Sequence, residues 1–184
     1  MISQQINGNI SDGDSLPTDN SLLKAALDYA RRGWSVIPLR PSSKTPLIDW
    51  KPYQQRQATE EEIRSWWSRW PSANVGFVTG TISGVIVLDI DGPEGEAEIE
   101  KRGGLPQTLI SRTGKGRHAI FRHPGGTISN SVRELPGLDL RGDGGYIVAP
   151  PSIHPSGMRY EWEVRPDDVS FADPPAWLLT NGAS

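Results

Sequence analysis

The sequence predicts an α+β fold in which at least part of the sheet is antiparallel. Helix-like and strand-like segments intermix along the 184 residues, so both element types belong to one fold. Several strand-like segments are joined by short glycine-containing turns, which favour antiparallel neighbours over the long crossovers of a parallel sheet. A chain of this length with 35% hydrophobic residues is expected to form one domain with a sizeable core.

Helices are predicted where capping residues precede apolar residues at helical spacing. Residues 1–18 are polar, so we expect a disordered leader there and the folded domain at residues 19–180. The expected helices run from Thr18–Ser21 to about Arg32, from Thr59 to Trp70, from Pro93 to about Arg102, and briefly around Trp177. The second begins with a capping box, in which Thr59 is followed three residues later by Glu62.

Strands are predicted where short apolar or β-branched runs are bounded by turn residues. The expected strands are 34–39, 74–79, 84–90, 108–112, 117–122, 138–141, 145–149 and 159–163. Residues 113–116, which include two glycines, are expected to close a hairpin between the fourth and fifth of these strands.

Composition limits the functional classes. The sequence has no apolar run long enough to span a bilayer and no recognisable signal segment, so no membrane partner is expected. The absence of cysteine excludes disulfides and cysteine-ligated zinc, and it suits a cytoplasmic location. The formal net charge of −3 argues against strong nonspecific binding to nucleic acid.

Two acids at the end of one apolar strand are the clearest functional feature. Val85–Leu88 lead directly into Asp89 and Asp91, a pattern that indicates a buried central strand. Side chains alternate across a strand, so both carboxylates project from one face, about 7 Å apart. Such oxygen ligands suit Mg²⁺ or Mn²⁺, although a strand that simply ends in an Asp-Gly turn has the same pattern.

A third acid lies in a later strand. Asp139 stands between two leucines and shares its face with Arg141, which alone would suggest a solvated ion pair on an edge strand. Together with Asp89 and Asp91 it completes a set of three carboxylates that can hold two divalent ions. Asp143, in the glycine-rich segment that follows, is interpreted as a turn residue.

His118 is the histidine best placed to contact a phosphate. It follows a loop in which Lys115 stands between two glycines, and it points to the face opposite Arg117. A buried structural histidine is the alternative interpretation. His123 and His154 both lie in turns and are weaker candidates.

These motifs, taken in order, resemble the bifunctional primase–polymerase (Prim-Pol) domain of the archaeo-eukaryotic primase superfamily, known from plasmids, phages and integrated elements. The resemblance covers about residues 22–165. Its motifs are Trp34–Pro38 with Lys44–Pro46, Asn74–Gly76 with Thr79–Gly80, Val87–Asp91, Thr113–His118, Leu138–Tyr146 and Ala149–Ser152.

The resemblance implies a fold, a reaction and a set of roles. The implied fold is an RRM-like mixed or antiparallel sheet with flanking helices, joined to a second small α/β unit. The implied reaction is template-dependent nucleotidyl transfer, as DNA primase, DNA polymerase or both, in a mobile-element or phage replication protein. The residues implied to bind two Mg²⁺ or Mn²⁺ ions are Asp89, Asp91 and Asp139. Those implied to bind a dNTP or NTP are His118, Lys44 and Arg141, and the loop position of Lys115 adds it to this set.

One position departs from the family pattern. The family's second motif is usually Ser-x-His, and Gly116 stands at the serine position, so a backbone N–H would have to replace the hydroxyl contact. The implied partners are a single-stranded or primed DNA template and a helicase module, in a longer parent chain or in a separate protein. No zinc site is expected.

Two other functional classes stay open. A metal-dependent nuclease would use a similar set of carboxylates, although an initiator-type endonuclease would also need a His-apolar-His pair that the sequence lacks. A catalytically silent nucleic-acid-binding module is disfavoured, because clustered carboxylates without a metal would repel phosphate.

Overall fold

The computed structural model describes residues 20–132 and 135–180, and the predicted leader lies outside them. Within these residues the helices are α1 (Asn20–Arg31), α2 (Glu60–Arg69), α3 (Gly92–Lys101), α4 (Ala176–Thr180) and a 3₁₀ helix at Lys51–Gln54. The strands are β1 (Ser35–Leu39), β2 (Asn74–Val78), β3 (Val85–Asp91), β4 (Leu109–Arg112), β5 (Gly116–Arg122), β6 (Ser131–Val132), β7 (Leu138–Arg141), β8 (Tyr146–Val148) and β9 (Glu161–Val164). None of the described helices is long and apolar enough to cross a membrane.

The predicted helices form, and residues at their ends explain where two of them begin or end. The capping box of α2 is complete: the Glu62 N–H donates to Thr59 Oγ1 at 3.1 Å, and the Thr59 N–H donates to Glu62 Oε2 at 2.8 Å. After α1, Gly33 adopts a left-handed φ of 87°, which a residue with a Cβ would adopt only with strain. The 3₁₀ helix and the two-residue β6 were not predicted, because neither is long enough to show a periodic pattern.

The strands form two sheets in which every pair is antiparallel. The smaller sheet has the order β1-β2-β8, and the larger has the order β6-β7-β3-β5-β4-β9. The predicted α+β class with antiparallel pairing is therefore correct. The RRM-like arrangement of the strands stays a prediction.

Residues 142–144 connect the sheets instead of joining two paired strands. β7, before them, belongs to the larger sheet, and β8, after them, belongs to the smaller one. Asp143 holds this connection in place by accepting hydrogen bonds from the N–H groups of Thr81, at 2.7 Å, and Ile128, at 2.8 Å. The connection between the two sheets is therefore anchored by contacts with two other loops.

β3 lies in the interior of the larger sheet, between β7 and β5, and its alternating side chains separate two cores. One face packs with Phe121 of β5 and Leu178 of α4 through the fully buried residues Ile86, Leu88 and Ile90. Val85 and Val87, on the other face, join the core that contains α1, α2 and residues of the smaller sheet. Beyond Val87 the second face continues with acids, so the functional residues begin where this apolar core ends.

Candidate functional site

Three of the predicted site residues form a row across neighbouring strands. Asp89 is paired with Asp139 of β7 on one side and with His118 of β5 on the other. Directly paired residues of antiparallel strands lie on one face, with Cβ atoms about 4.5–5.5 Å apart. Asp91 lies on the same face two residues further along β3. Asp139 therefore shares a face with Asp89 and Asp91.

The row borders a cleft of about 270 Å³ that residues of both sheets line. Asp89, Asp91 and His118 contribute from the larger sheet. Asp139 is not part of the lining and lies next to Asp89 on the neighbouring strand β7. The other lining residues are Lys44, Trp50, Thr113, Lys115, Asn130, Arg141, Gly144, Gly145, Tyr146, Ile147, Val148, His154 and Tyr160. All four residues predicted to bind nucleotide thus lie around one cleft.

Each of the two paired acids lies close to a nitrogen-bearing side chain. Asp89 Oδ1 lies 3.4 Å from His118 Nε2, and Asp139 Oδ2 lies 3.7 Å from Arg141 Nη2. Burial alone would raise the pKa of Asp89, but the contact with His118 and the charges of Arg141 and Lys44 bring that pKa below its ordinary value. The His118 contact and the two basic side chains therefore favour the ionised form of Asp89 beside a second carboxylate.

His118 is buried, and its two ring nitrogens differ in their surroundings. Nε2 faces Asp89, whereas Nδ1 is sealed from solvent and has no hydrogen-bond partner among the described residues. The same is true of the hydroxyl of Ser111, which is paired with His118 across β4 and β5. Buried polar atoms of this kind are rare and are often bridged by water.

The hairpin between β4 and β5 separates two basic residues. Lys115 lines the cleft from the loop. Arg117 lies on the opposite face from His118 and forms a bidentate ion pair with Glu96 of α3. Its Nε donates to Oε1 at 2.5 Å, and its Nη2 donates to Oε2 at 2.8 Å. The Arg117 face of β5 therefore contacts a helix and not the cleft.

Gly116 stands where the resemblance would place serine, and this backbone does not accommodate a side chain there. A Cβ on Gly116 would lie 1.9 Å from the carbonyl oxygen of Ile90 on the neighbouring strand. The N–H of Gly116 donates to Thr113 Oγ1 at 3.0 Å, so it is already engaged within the loop. The backbone N–H that was expected to replace a serine hydroxyl is therefore not free, whereas the Thr113 hydroxyl itself lines the cleft.

His154 belongs to the cleft, although the sequence indicated only a turn. It is buried, and it lies against the β4–β5 loop so closely that a Cβ on Gly114 would be 2.3 Å from its ring. Tyr160 was also missed, and its ring lies 5.9 Å from His154 and 6.3 Å from His118. No local pattern shows that the 152–157 turn folds back onto residue 114.

Two aromatic residues close another part of the cleft. Trp50 and Tyr146 meet edge to face with ring centroids 4.9 Å apart. The Tyr146 hydroxyl donates to the backbone carbonyl of Lys44 at 2.9 Å, which ties the loop carrying this lysine to β8. These rings offer the cleft an apolar surface beside its charged groups.

Asp143 and His123 lie outside the cleft lining. Besides its two backbone contacts, Asp143 accepts a hydrogen bond from the Thr81 hydroxyl at 3.0 Å and lies 3.3 Å from His123 Nε2. The sequence suggested a turn at Asp143, and the structure places it in an isolated β-bridge with Ser129, where its hydrogen bonds hold neighbouring loops together.

The donor chemistry of the acids fits a hard divalent cation, because carboxylate oxygens are the ligands that such ions prefer. In the part of the chain that the structure describes, no group of three or more His, Asp or Glu side chains is arranged to hold a metal ion. Asp89 and Asp139 are directed towards His118 and Arg141. The two carboxylates are nevertheless adjacent across the sheet.

Comparison with protein-family models identifies a family for the chain. A family model described as bifunctional DNA primase/polymerase, N-terminal (Prim-Pol), matches residues 26–177, which is most of the chain. The matched range contains every residue of the cleft. No curated protein matches the sequence.

Proposed function

The chain belongs to the Prim-Pol family of bifunctional DNA primase/polymerase N-terminal domains, and we propose that its cleft catalyses template-dependent nucleotidyl transfer. The observation that carries the proposal is the row of Asp139, Asp89 and His118 at a cleft that Lys44 and Lys115 also line. The reaction joins a nucleoside triphosphate to a hydroxyl. It needs carboxylates that bind metal ions, and it needs cationic side chains that bind the phosphates. We place the catalytic domain at residues 19–180.

We assign Asp89, Asp91 and Asp139 to the binding of two divalent ions, Mg²⁺ or Mn²⁺. Bound ions would neutralise phosphate charge and favour ionisation of the attacking hydroxyl. The shared face of β3 and β7 holds the three carboxylates together in advance, and His118 and Arg141 offset their repulsion in this structure.

The cationic side chains of the cleft are assigned to the nucleotide. Lys44 and Lys115 reach the cleft from two different loops, and Arg141 and His118 reach it from two strands of the larger sheet. Lys44, Lys115 and Arg141 supply N–H donors, and charge-assisted hydrogen bonds to phosphate are stronger than those between neutral groups. His118 would donate from Nε2 once bound ions engage Asp89 in its place. Arg117 is excluded from this role because Glu96 engages it on the other face of the sheet.

The partners follow from the same reaction. The template would be single-stranded or primed DNA, and the substrate a dNTP, an NTP or both. The net charge of −3 implies weak template binding by this chain alone, which suits a replication protein of a mobile element or phage that acts with a helicase.

Incorporation of a labelled nucleotide on a primed template, compared with degradation of the same DNA, tests the proposal. We expect Mg²⁺- or Mn²⁺-dependent extension by the wild-type chain, loss of extension in Asp89→Ala, and full extension in Asp168→Ala, whose exposed acid lies outside the cleft. Degradation without extension would establish the nuclease alternative. Neither activity, with DNA binding retained, would establish the silent binding module.

A further inference from the structure

We propose that His154 is a phosphate-binding residue of the cleft, which presents an Nε2–H group as a hydrogen-bond donor to a phosphate oxygen. The inference rests on the proposed function for the source of that phosphate, which is either the incoming nucleotide or the nucleic-acid strand. Neither the motifs of the sequence nor the family match assigns this residue a role.

The backbone determines which ring nitrogen of His154 carries the proton. The Ser156 N–H donates to Nδ1 at 3.1 Å, and the Ser156 hydroxyl lies 2.8 Å from the same nitrogen. Because a backbone N–H can only donate, Nδ1 must present its lone pair. The proton of the neutral ring is therefore on Nε2.

The ring of His154 has little freedom to rotate. The chain turn that carries His154 is closed by two backbone hydrogen bonds, from the His154 N–H to Met158 O at 2.7 Å and from the Gly157 N–H to His154 O at 2.8 Å. Gly114 covers the ring so closely that a Cβ there would overlap it, and Tyr160 packs nearby. The donor direction of Nε2 is thus set before any ligand arrives, which lowers the entropy cost of binding.

The Nε2–H group has no acceptor among the described residues. Unlike His118 Nδ1, it is not sealed from solvent, and the residue lines the cleft. Lys44 and Lys115 are near enough that their charges, after the larger effect of burial, lower the pKa of His154. Neither lysine forms an ion pair with a carboxylate within the described part of the chain. This part of the cleft therefore presents two ammonium groups and one N–H without partners in the residues that the structure describes. An anion with several oxygens, such as a phosphate, would bind all three.

Nitrogen-15 NMR of the histidine rings in the full chain tests the first half of the proposal. We expect the His154 signals, assigned from their loss in His154→Gln, to show the Nε2–H form in the free protein. Inorganic tripolyphosphate with Mg²⁺ should then shift Nε2 if the nucleotide is the source of the phosphate. A shift with a short single-stranded oligonucleotide alone would identify the strand instead. An Nδ1–H form, or an Nε2 signal that neither probe moves, would overturn the proposal.

Paired substitutions separate hydrogen bonding from packing. The amide of His154→Gln places an N–H near the position of Nε2, whereas that of His154→Asn places it near Nδ1. By calorimetric titration with tripolyphosphate and Mg²⁺, we expect about a tenfold loss of affinity in His154→Asn and a much smaller loss in His154→Gln. Met158→Ala, which changes an exposed side chain of the same turn, is the control and should bind normally. If the strand is the source, the same ranking should appear with the oligonucleotide.

Equal losses in the glutamine and asparagine variants, with Met158→Ala intact, would show that the ring only packs the Gly114 loop. Both measurements are independent of turnover. Phosphate binding through His154 in a chain that never extends a primer would refute nucleotidyl transfer and leave this inference standing. Primer extension by a chain in which the His154 substitutions change neither binding measurement would support nucleotidyl transfer and refute this inference.

Discussion

Asp89 of β3 and Asp139 of β7 are directly paired across two neighbouring antiparallel strands. Like charges in such a pair destabilise a sheet unless something compensates them. His118 and Arg141 compensate them here, at 3.4 Å and 3.7 Å. The sheet therefore holds two acids together at a cleft edge, as a site for divalent cations would require.

The first prediction concerns Asp139. Asp139→Asn preserves the volume of the side chain but removes one of the paired charges, so we expect primer extension to fall at least about a hundredfold. The thermal midpoint should stay within a few degrees of the wild-type value, because the repulsion with Asp89 is also removed. Extension rates and thermal melts of the same preparations check both parts. Wild-type extension rates in this variant would show that the pairing has no catalytic importance.

Asp143 should behave in the opposite way. Asp143→Ala leaves the N–H groups of Thr81 and Ile128 without their acceptor, which we expect to cost on the order of 2–3 kcal/mol of unfolding free energy. The folded fraction should extend primers at close to the wild-type rate, since Asp143 is outside the cleft lining. Urea denaturation and active-site-normalised extension rates measure the two effects. A catalytic loss as deep as that of Asp139→Asn would mean that the wrong acid was assigned.

The stabilisation from Asp143 should also depend on pH. Burial acts to raise the pKa of this carboxyl, but hydrogen bonds from Thr81, Ile128 and His123 bring it below its ordinary value. A lowered pKa in the folded state means that the stabilisation is complete above about pH 4–5 and is lost as the pH falls through the folded-state pKa. The stability difference between wild type and Asp143→Asn should therefore narrow between pH 6 and pH 3. A difference that widens on acidification would contradict the hydrogen-bonding scheme.

His118 and Arg117 form a matched pair on opposite faces of β5. We expect His118→Ala to raise the apparent KM for nucleotide about ten- to a hundredfold, the effect of losing a charge-assisted hydrogen bond to phosphate. Arg117→Ala should leave KM unchanged and reduce stability by about 1 kcal/mol, because it removes a partly exposed ion pair with Glu96. Steady-state kinetics and denaturation curves separate the two. The reverse pattern would show that His118 is only a buried structural residue.

Restoring the serine of the family motif should harm this protein. In Gly116→Ser the new Cβ would overlap the carbonyl oxygen of Ile90, so β3 and β5 must separate locally. We expect a loss of about 1–3 kcal/mol of unfolding free energy, as for other overpacking changes. Gly116→Ala, which adds the same Cβ without a hydroxyl, should lose a similar amount. A stable serine variant beside an unstable alanine variant would show instead that the hydroxyl finds a partner in the cleft.

Template binding by the chain alone should be weak and sensitive to salt. The formal net charge is −3, and three of its cations, Lys44, Lys115 and Arg141, lie inside the cleft. Few phosphates of a DNA strand can then be neutralised, so filter retention of single-stranded DNA should largely disappear by physiological salt. Submicromolar affinity at that salt, without added nucleotide, would contradict this prediction.

Local sequence patterns determined the elements and the orientation of single strands. Alternation along β3 was enough to place Asp89 and Asp91 on one face, and Thr59 with Glu62 was enough to begin α2. The glycines around Lys115 likewise marked the β4–β5 hairpin. Each of these features depends on neighbours a few residues away, so the chain's own spacing is sufficient to predict it.

Only the tertiary structure decided which elements meet. Asp139 lies beside Asp89 because β7 pairs with β3 in one particular register, and a shift of one residue would turn Asp139 to the other face. His154 lies at the cleft because its turn packs on Gly114, and Asp143 is hydrogen-bonded to loops that are distant in sequence, between strands of two different sheets. Contacts between distant segments depend on how whole surfaces pack and on which buried polar groups become partners. Neither can be predicted from the spacing of residues within one segment.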